Sequence, residues 1–455
     1  MTFPTHAAPV VAFRSMSSLL RRRDLLQLAG AAVATAGLPG CAGAVSPADR
    51  TIRVGILHSR SGAMAPSEGP VALATRMAIA EWNGEFPGSE ADLVGKNSTG
   101  ISLEAIPGDG ASDPETFAKE ARRLIADEGV AALFGCWTSS SRRAVIPVVE
   151  SLGNFLVYPL QYEGLESSGN VLYTGATPNQ QLLPGVRWAM ERFGPRVYMV
   201  GSDYVFPRVA NAVIRDQLGA AGVEAAGEAY LPLDAPAEGL RAQASAIVGD
   251  LLRSKPDVIV STLNGMPGNV AFFRELRAAV PATAVPSISF SIGEPEARAM
   301  SPLGAPMSGD YAGWTWLPDA GDATVGRFWE SFGRWAEGAG VPGAELPAGL
   351  TDPMVSAIAG VRLWAAAYAE SVAGSGAPTP IPQTLAGRSA PVPGGRILVD
   401  SENLHVWKPL VVGQFGGDGL LQPVYRTELA ERPRPYPAFR SRASWERILA
   451  AASSA

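Results

Sequence analysis

From Thr51 onward the chain repeats one unit: a short β-rich run, a polar turn, then a stretch with apolar residues at helical spacing. The first run is Thr51-Ile52-Arg53-Val54-Gly55-Ile56-Leu57, followed by a Ser/Gly loop and a helical pattern from Val71 to Trp82. Val130 to Phe134, Phe155 to Tyr158, Arg196 to Val200, Pro256 to Thr262 and Pro286 to Ser291 behave the same way. Helices are expected between them, around 141–151, 207–221 and 270–279. Ser112-Asp113-Pro114-Glu115 has the spacing of a capping box with an early proline, so a helix opens there with Phe117, Ala121, Leu124 and Ile125 as its buried stripe. Strands alternating with helices of about ten to fifteen residues specify parallel sheets covered on both faces. An open sheet of more than about ten strands is uncommon, so two sheets fit this chain better than one. The fold class expected is α/β, with two doubly wound parallel-sheet lobes.

Later segments read as the chain returning between those lobes. Long helices are expected over 324–337 and 351–371, the second opening on Thr351-Asp352-Pro353. The Gly/Ser/Pro-rich stretch 373–382 is a loop, Arg396 to Asp400 and His405 to Phe415 form a closing hairpin, and 428–455 is a Pro/Arg-rich tail.

The N-terminus follows different rules. Arg21-Arg22-Arg23-Asp24 precedes an apolar run from Leu25 to Leu38, which is shorter than the roughly 20 residues of a membrane-spanning helix and matches a signal-peptide core. The arginine pair before Leu25-Leu26 is similar to a twin-arginine export signal. Leu38-Pro39-Gly40-Cys41 resembles a lipobox, which implies lipid attachment at Cys41 and an export segment over 1–41, with Met16 as an alternative start. An exported protein, periplasmic or held at the cell surface, is therefore expected.

Composition narrows the chemistry. Two Cys and three His in 455 residues cannot build a disulfide scaffold, a zinc finger, an iron–sulfur cluster or a histidine metal cage. A formal net charge of -6 supplies no basic field for nucleic acid. No GxGxxG or GxxxxGK[ST] follows any expected strand, so no nucleotide cofactor is implied. No metal and no cofactor are expected; the partner is small and neutral.

In doubly wound sheets, ligands bind beyond the carboxyl ends of the strands. The residues there are His58-Ser59-Arg60-Ser61-Gly62, Cys136-Trp137-Thr138-Ser139-Ser140-Ser141-Arg142, Tyr158-Pro159-Leu160-Gln161-Tyr162-Glu163, Gly201 to Arg208 and Asn264-Gly265-Met266-Pro267-Gly268. Tyr311 to Trp316 adds Trp314 and Trp316 where a crossing segment would lie. Rings for walls, with hydroxyl and amide groups for orientation, suit a small, flat, polar, uncharged ligand. Enzymatic readings are weaker, and no enzyme is expected. Cys136 reads as packing rather than as a nucleophile with His58, His405 as structural, and Ser139 to Ser141 as helix-capping serines. Asp203 and Glu163 read as surface ion pairs or caps rather than an acid/base pair, and Arg142 and Arg143 as a solvated face.

The loops carry a family resemblance that extends from about Ile52 to Pro435. Gly55-Ile56-Leu57-His58-Ser59, Phe134-Gly135-Cys136-Trp137-Thr138-Ser139, Tyr158 to Glu166, Tyr173-Thr174-Gly175-Ala176, Pro178-Asn179-Gln180-Gln181, Gly201 to Arg208, Asn269-Val270-Ala271-Phe272-Phe273 and Trp407-Lys408-Pro409 look like the urea-binding proteins of ABC importers. These belong to the type I periplasmic binding class, with the amide-sensing regulator and the branched-chain amino acid binders. The resemblance implies two lobes joined by three crossing segments and closing over a ligand. The first lobe would take 51–173 and 314–390, the second 174–313 and 391–430, with a tail over 431–455. Urea or a short-chain amide would pass from this receptor to a membrane permease driven by a separate ATPase. Trp137 and Ser139 match the family's first ligand loop, Tyr158, Gln161 and Tyr162 its second, and Tyr204 the loop from the opposite lobe. Thr138, Asn264 and Trp314, at strand exits or a crossing, complete the expected ligand-binding set. Met266-Pro267-Gly268, Thr315-Trp316, Val355 and Ile358 depart from the family pattern; lining the cleft, they would make it more apolar and admit a larger amide. The alternatives are a branched-chain amino acid or other small-amide receptor, and an amide sensor acting through a regulator; the export segment argues against the sensor.

Overall fold

The structure, a computed structural model, describes residues 50–85, 100–233, 235, 237–319, 321–373 and 377–453. The export segment and Cys41 lie outside the described residues.

The first half of the chain builds one parallel sheet. Its strands are β1 (Arg50–His58), β2 (Ile101–Asp109), β3 (Leu133–Gly135), β4 (Leu156–Tyr158) and β5 (Val171–Tyr173), in the order β2-β1-β3-β4-β5. Connections run through α1 (Ala65–Trp82), α2 (Pro114–Ala126) and α3 (Ser139–Ser151). Asp113 caps α2 by accepting the Thr116 N–H at 2.7 Å. Side chains alternate between the faces of the sheet. Ile52, Val54, Ile56, Phe134, Val157 and Leu172 face one apolar core with α1, while Leu57, Leu133, Leu156, Tyr158, Val171 and Tyr173 face another with Phe117, Leu124 and Val145. Covering on both faces is what makes such short strands nearly all apolar.

After β5 the chain passes through α4 (Leu182–Phe193) into a second sheet. It contains β6 (Val197–Ser202), β7 (Gly227–Leu231), β8 (Val258–Thr262), β9 (Ser287–Ser289) and β10 (Tyr311–Trp314), all parallel, linked by α5 (Val205–Ala220), α6 (Ala237–Ser254), α7 (Met266–Ala279) and α8 (Glu294–Met300). The chain then returns to the first core through α9 (Ala323–Gly338) and α10 (Asp352–Ser371), whose Met354, Ile358 and Trp364 are fully buried there. After α11 (Ile381–Leu385), a small antiparallel sheet of β11 (Ser389–Val392), β12 (Gly395–Val399) and β13 (Val406–Trp407) adds Ile397, Val399 and Val406 to the same core.

The expected closing hairpin is formed only in part: β12 pairs antiparallel with β13, Leu398 opposite Trp407 and Val399 opposite Val406, and the remainder of the run goes elsewhere. Arg396 to Asp400 lies between β11 and β13, whereas β14 (Val411–Phe415) joins the second sheet antiparallel to β10, with β15 (Leu421–Arg426) at its edge. The run His405 to Phe415 is thus two strands in two sheets. Pro409 falls between them, and its missing N–H fits a break rather than a continuous ladder. The tail ends in α12 (Arg442–Ser453), packed against α5. No described helix is long and apolar enough to cross a membrane.

Three segments cross between the sheets: 174–181, the residues after Trp314, and 408–410. Hydrogen bonds tie them together. Gln181 Nε2 donates to Gly313 O at 2.8 Å, and Gln180 Nε2 to Val406 O and Glu431 O, both at 2.8 Å. Buried Lys408 Nζ donates to Ser356 Oγ (2.7 Å), Thr315 Oγ1 (3.0 Å) and Asp352 Oδ1 (3.1 Å), while Thr315 N–H donates to Asp352 Oδ2 at 2.8 Å.

Candidate functional site

The carboxyl ends of both sheets face each other, and the first sheet's exit is set by backbone geometry. Gly135 has φ 152°, and a Cβ there would lie 1.9 Å from the Leu57 carbonyl oxygen. Only glycine permits so close an approach of β1 and β3. Cys136 follows with φ 65°, its N–H donating to Leu57 O at 2.9 Å, and the chain turns into Trp137. The Cys136 side chain is buried, and desolvation pushes its thiol well above the ordinary value. His58 Nδ1 lies 2.9 Å from Glu68 Oε2, which also accepts the Ser59 N–H at 2.9 Å. No hydrogen bond joins His58 to Cys136 among the described residues.

Helix α3 carries the next group. Thr138 is its N-cap, accepting the Ser141 N–H at 3.0 Å. Ser139 Oγ donates to Glu163. Arg142 is fully buried, which corrects the solvated face expected for it. Its Nη2 donates to Glu163 Oε1 and its Nε to Glu166 Oε1, each at 2.9 Å, and its guanidinium lies over the rings of Tyr158 (4.9 Å) and Tyr162 (4.5 Å). Burial works against its charge, but the Glu166 and Glu163 carboxylates outweigh that and hold it protonated. Glu163 is likewise completely buried, not at the surface. Asp203, by contrast, is the half-exposed ion pair expected of it, with Arg208 at 2.5 Å.

The expected aromatic residues divide. Tyr158 is buried and its hydroxyl donates to Trp137 O at 2.8 Å. Tyr162 is also buried; its hydroxyl lies 2.6 Å from His405 Nε2 and 3.0 Å from Glu166 O, and its ring stacks on Tyr173. Tyr204 opens α5 from the second sheet. Burial raises its phenol well above the ordinary value, and Tyr158 and Glu163 of the first sheet's loops add to that rise, so it faces them across the lobes. Gln161 Nε2 donates to Phe290 O at 3.2 Å, a direct bond between the two sides. Asn264 Nδ2 donates to Thr262 O (3.1 Å) and Ser291 Oγ (3.3 Å), tying strand exits of the second sheet together.

A narrow cleft of about 60 Å³, partly open to solvent, lies between the lobes. Trp137, Trp314 and Trp316 supply aromatic surface, Ser67, Ser291 and Thr351 hydroxyls, and Glu294, Glu296 and Asp352 carboxylates; no Lys, Arg or His is among its lining residues. Trp314 Nε1 donates to Ile292 O at 3.1 Å and Trp316 Nε1 to Pro393 O at 2.8 Å, so both indoles are fixed from behind. Burial raises the Glu294 and Glu296 carboxyls above their ordinary values. Of the residues expected from sequence, Trp137 and Trp314 line this cleft and the others do not. Val355 and Ile358 are buried in the first core, so these departures leave the cleft's polarity unchanged. The glutamate loop, Gly293-Glu294-Pro295-Glu296, is a further strand exit, following the strand at 287–289, and that position is the sequence signal for it.

A family model for the periplasmic binding protein domain matches residues 52–442. The chain belongs to that family. Among solved structures, this periplasmic binding protein is similar to a solute binding protein of an ABC transporter from Rhodopseudomonas palustris HaA2 in complex with p-hydroxybenzoic acid, at TM-score 0.67 and 20% identity over 84% of this chain and 98% of that one. A solute binding protein from Rhodopseudomonas palustris BisB5, with 3,4-dihydroxybenzoic acid, superposes at TM-score 0.67 and 17% identity, covering 84% and 99%. The branched-chain amino acid transporter substrate binding protein LivJ from Streptococcus pneumoniae, with isoleucine, does so at TM-score 0.64 and 15% identity, covering 84% and 100%. At these identities the likeness establishes the fold: the two α/β lobes with three crossings are those of type I periplasmic binding proteins.

Proposed function

We propose that this periplasmic binding protein is an extracytoplasmic receptor that binds urea or a short-chain amide between its lobes and delivers it to an ABC-type permease and ATPase. The observation that carries this reading is the charge of the cleft: carboxylates and hydroxyls between indole walls, with no cationic side chain in the lining. Urea offers N–H donors on two nitrogens and one carbonyl, and such walls accept from it without having to neutralise a charge. A benzoate or an amino acid brings a carboxylate, whose desolvation beside Glu294 and Glu296 has nothing here to offset it. Arg142 does not fill that need, because it lies outside the lining and donates to Glu163, Glu166 and Ser139 instead. Trp137 and Trp314, which line the cleft, are assigned to ligand binding; Ser139, Tyr158 and Tyr204 lie around Arg142 and Glu163, outside that lining. In this reading 391–407 belongs to the first lobe, since Ile397, Val399 and Val406 join its core. Export through residues 1–41 and lipid attachment at Cys41 complete it.

Calorimetry on protein lacking residues 1–41 tests the ligand. Saturable binding of urea, formamide or acetamide, without release of ammonia, is expected. Binding of leucine or p-hydroxybenzoate with no heat from any amide would replace the ligand class, and sustained ammonia release would replace the receptor by an amidase.

A further inference from the structure

We infer that the C-terminal segment from Glu431 to Leu449 is a strap that couples the two lobes, with Trp445 as its positioning residue, and that it sets ligand affinity by favouring their closed arrangement. The inference rests on the receptor reading above.

The first part of the strap is fastened to the first lobe and the crossings. Glu431 N–H donates to Lys408 O at 2.8 Å, Asn179 Nδ2 donates to Arg432 O at 2.9 Å, and Arg434 N–H donates to Asn179 Oδ1 at 2.8 Å. Arg432 pairs with Asp400 at 2.7 Å. Leu165 N–H donates to Pro435 O at 2.8 Å, and Gly164 leaves so little room that a Cβ there would meet the same oxygen at 2.2 Å. The loop gripped in this way also carries Glu163 and Glu166, the partners of Arg142.

The second part is fastened to the opposite lobe. Arg440 donates to both carboxylate oxygens of Asp216 on α5, and Trp445 is fully buried, its Nε1 donating to Pro437 O at 2.8 Å. Trp445 and Leu449 form one apolar cluster with Val205, Val209 and Val213 of α5 and with Leu165 of the first lobe; Tyr204 packs at its margin. One indole therefore touches the same cluster as the helix that presents Tyr204 and the loop that presents Glu163. Opening the cleft must strip one of these surfaces from Trp445 and expose it to water. A ligand that binds the closed form gains apparent affinity in proportion to the closed fraction, so the strap acts on affinity without touching the ligand.

The test uses spin labels at exposed positions of the two lobes, Lys119→Cys and Arg253→Cys, in otherwise complete mature protein. Interlobe distances are read by pulsed electron resonance, and urea affinity by calorimetry. Trp445→Ala should broaden the ligand-free distances toward longer values and weaken urea binding by about tenfold or more, with saturating urea restoring the short distance. Arg440→Glu should do the same to a smaller degree, and Asp216→Arg in the same chain should restore the original distances and affinity. Unchanged distances in both single variants would overturn the strap, as would an Arg440→Glu defect that Asp216→Arg leaves uncorrected. The distances need no ligand, so protein that ignores urea but opens on losing Trp445 would refute the ligand assignment and keep the strap.

Discussion

Arg142 shows what a single position can hide. It sits in the first turn of a helix, among serines, where an arginine is ordinarily solvated, and nothing local marks it as buried. Its partners come from 21 and 24 residues further on, in a loop whose path depends on the whole sheet. Arg142→Ala would leave Glu163 buried without a counter-charge, which costs about 3–5 kcal/mol. Thermal unfolding should show that loss, whereas Arg143→Ala on the same turn should change little. His405 is legible only in part: its neighbour Trp407 suggested a structural role, and the structure supplies the reason. Its Nδ1 lies 2.7 Å from Asn403 O, so the proton sits on Nδ1 and Nε2 accepts from Tyr162. Burial lowers its pKa from 6.5 to about 3. An unfolded chain takes up this proton below about pH 6.5 while the folded one refuses it until about pH 3, so stability falls with acidification across that window, by up to about 1.4 kcal/mol per pH unit. Glu294, Glu296 and Asp310, raised by burial, act in the opposite sense. The difference between wild type and His405→Gln isolates the histidine: the variant's unfolding midpoint should depend less on pH between 6.5 and 4.5.

At the scale of elements, most of the first sheet was readable because strands covered on both faces are continuous apolar runs, and the helices between them have a clear apolar stripe. Two of the strands not read share a cause. Ile101–Asp109 and Gly227–Leu231 are the outermost strands of their parallel arrays, partly exposed and mixed in sequence, so the apolar signal fades where covering ends. The candidate site is legible in sequence at Trp137 and Trp314, which follow from a strand exit and a crossing, and less legible at Glu296, which a short acidic helix with no aromatic or hydroxyl signature brings to the cleft. The strand-exit turn at Gly135 is the element-scale feature with the sharpest consequence. Gly135→Ala combines a φ that non-glycine residues rarely adopt, costing about 1–3 kcal/mol, with overlap against the Leu57 carbonyl. A lowered melting temperature together with weakened ligand binding is expected, because Trp137 is carried by the displaced turn.

For the whole molecule, the decisive group is Lys408, which joins two crossings to α10 through Thr315, Asp352 and Ser356. Lys408→Met leaves Asp352 buried beside an apolar chain and should cost about 3–5 kcal/mol. Adding Asp352→Asn should recover part of that loss in a denaturation experiment, since a neutral amide needs no counter-charge. If the two losses simply add, the pair is not coupled across the hinge. The same threading of the chain has a temporal side. The core that receives Ile52 and Val54 is completed by Trp364 and Val406, more than 300 positions later, so the earliest strand to leave the ribosome is among the last to find all its neighbours. Until then its apolar faces have no lasting cover, and the chain must be kept from aggregating for nearly the whole time that it is being made.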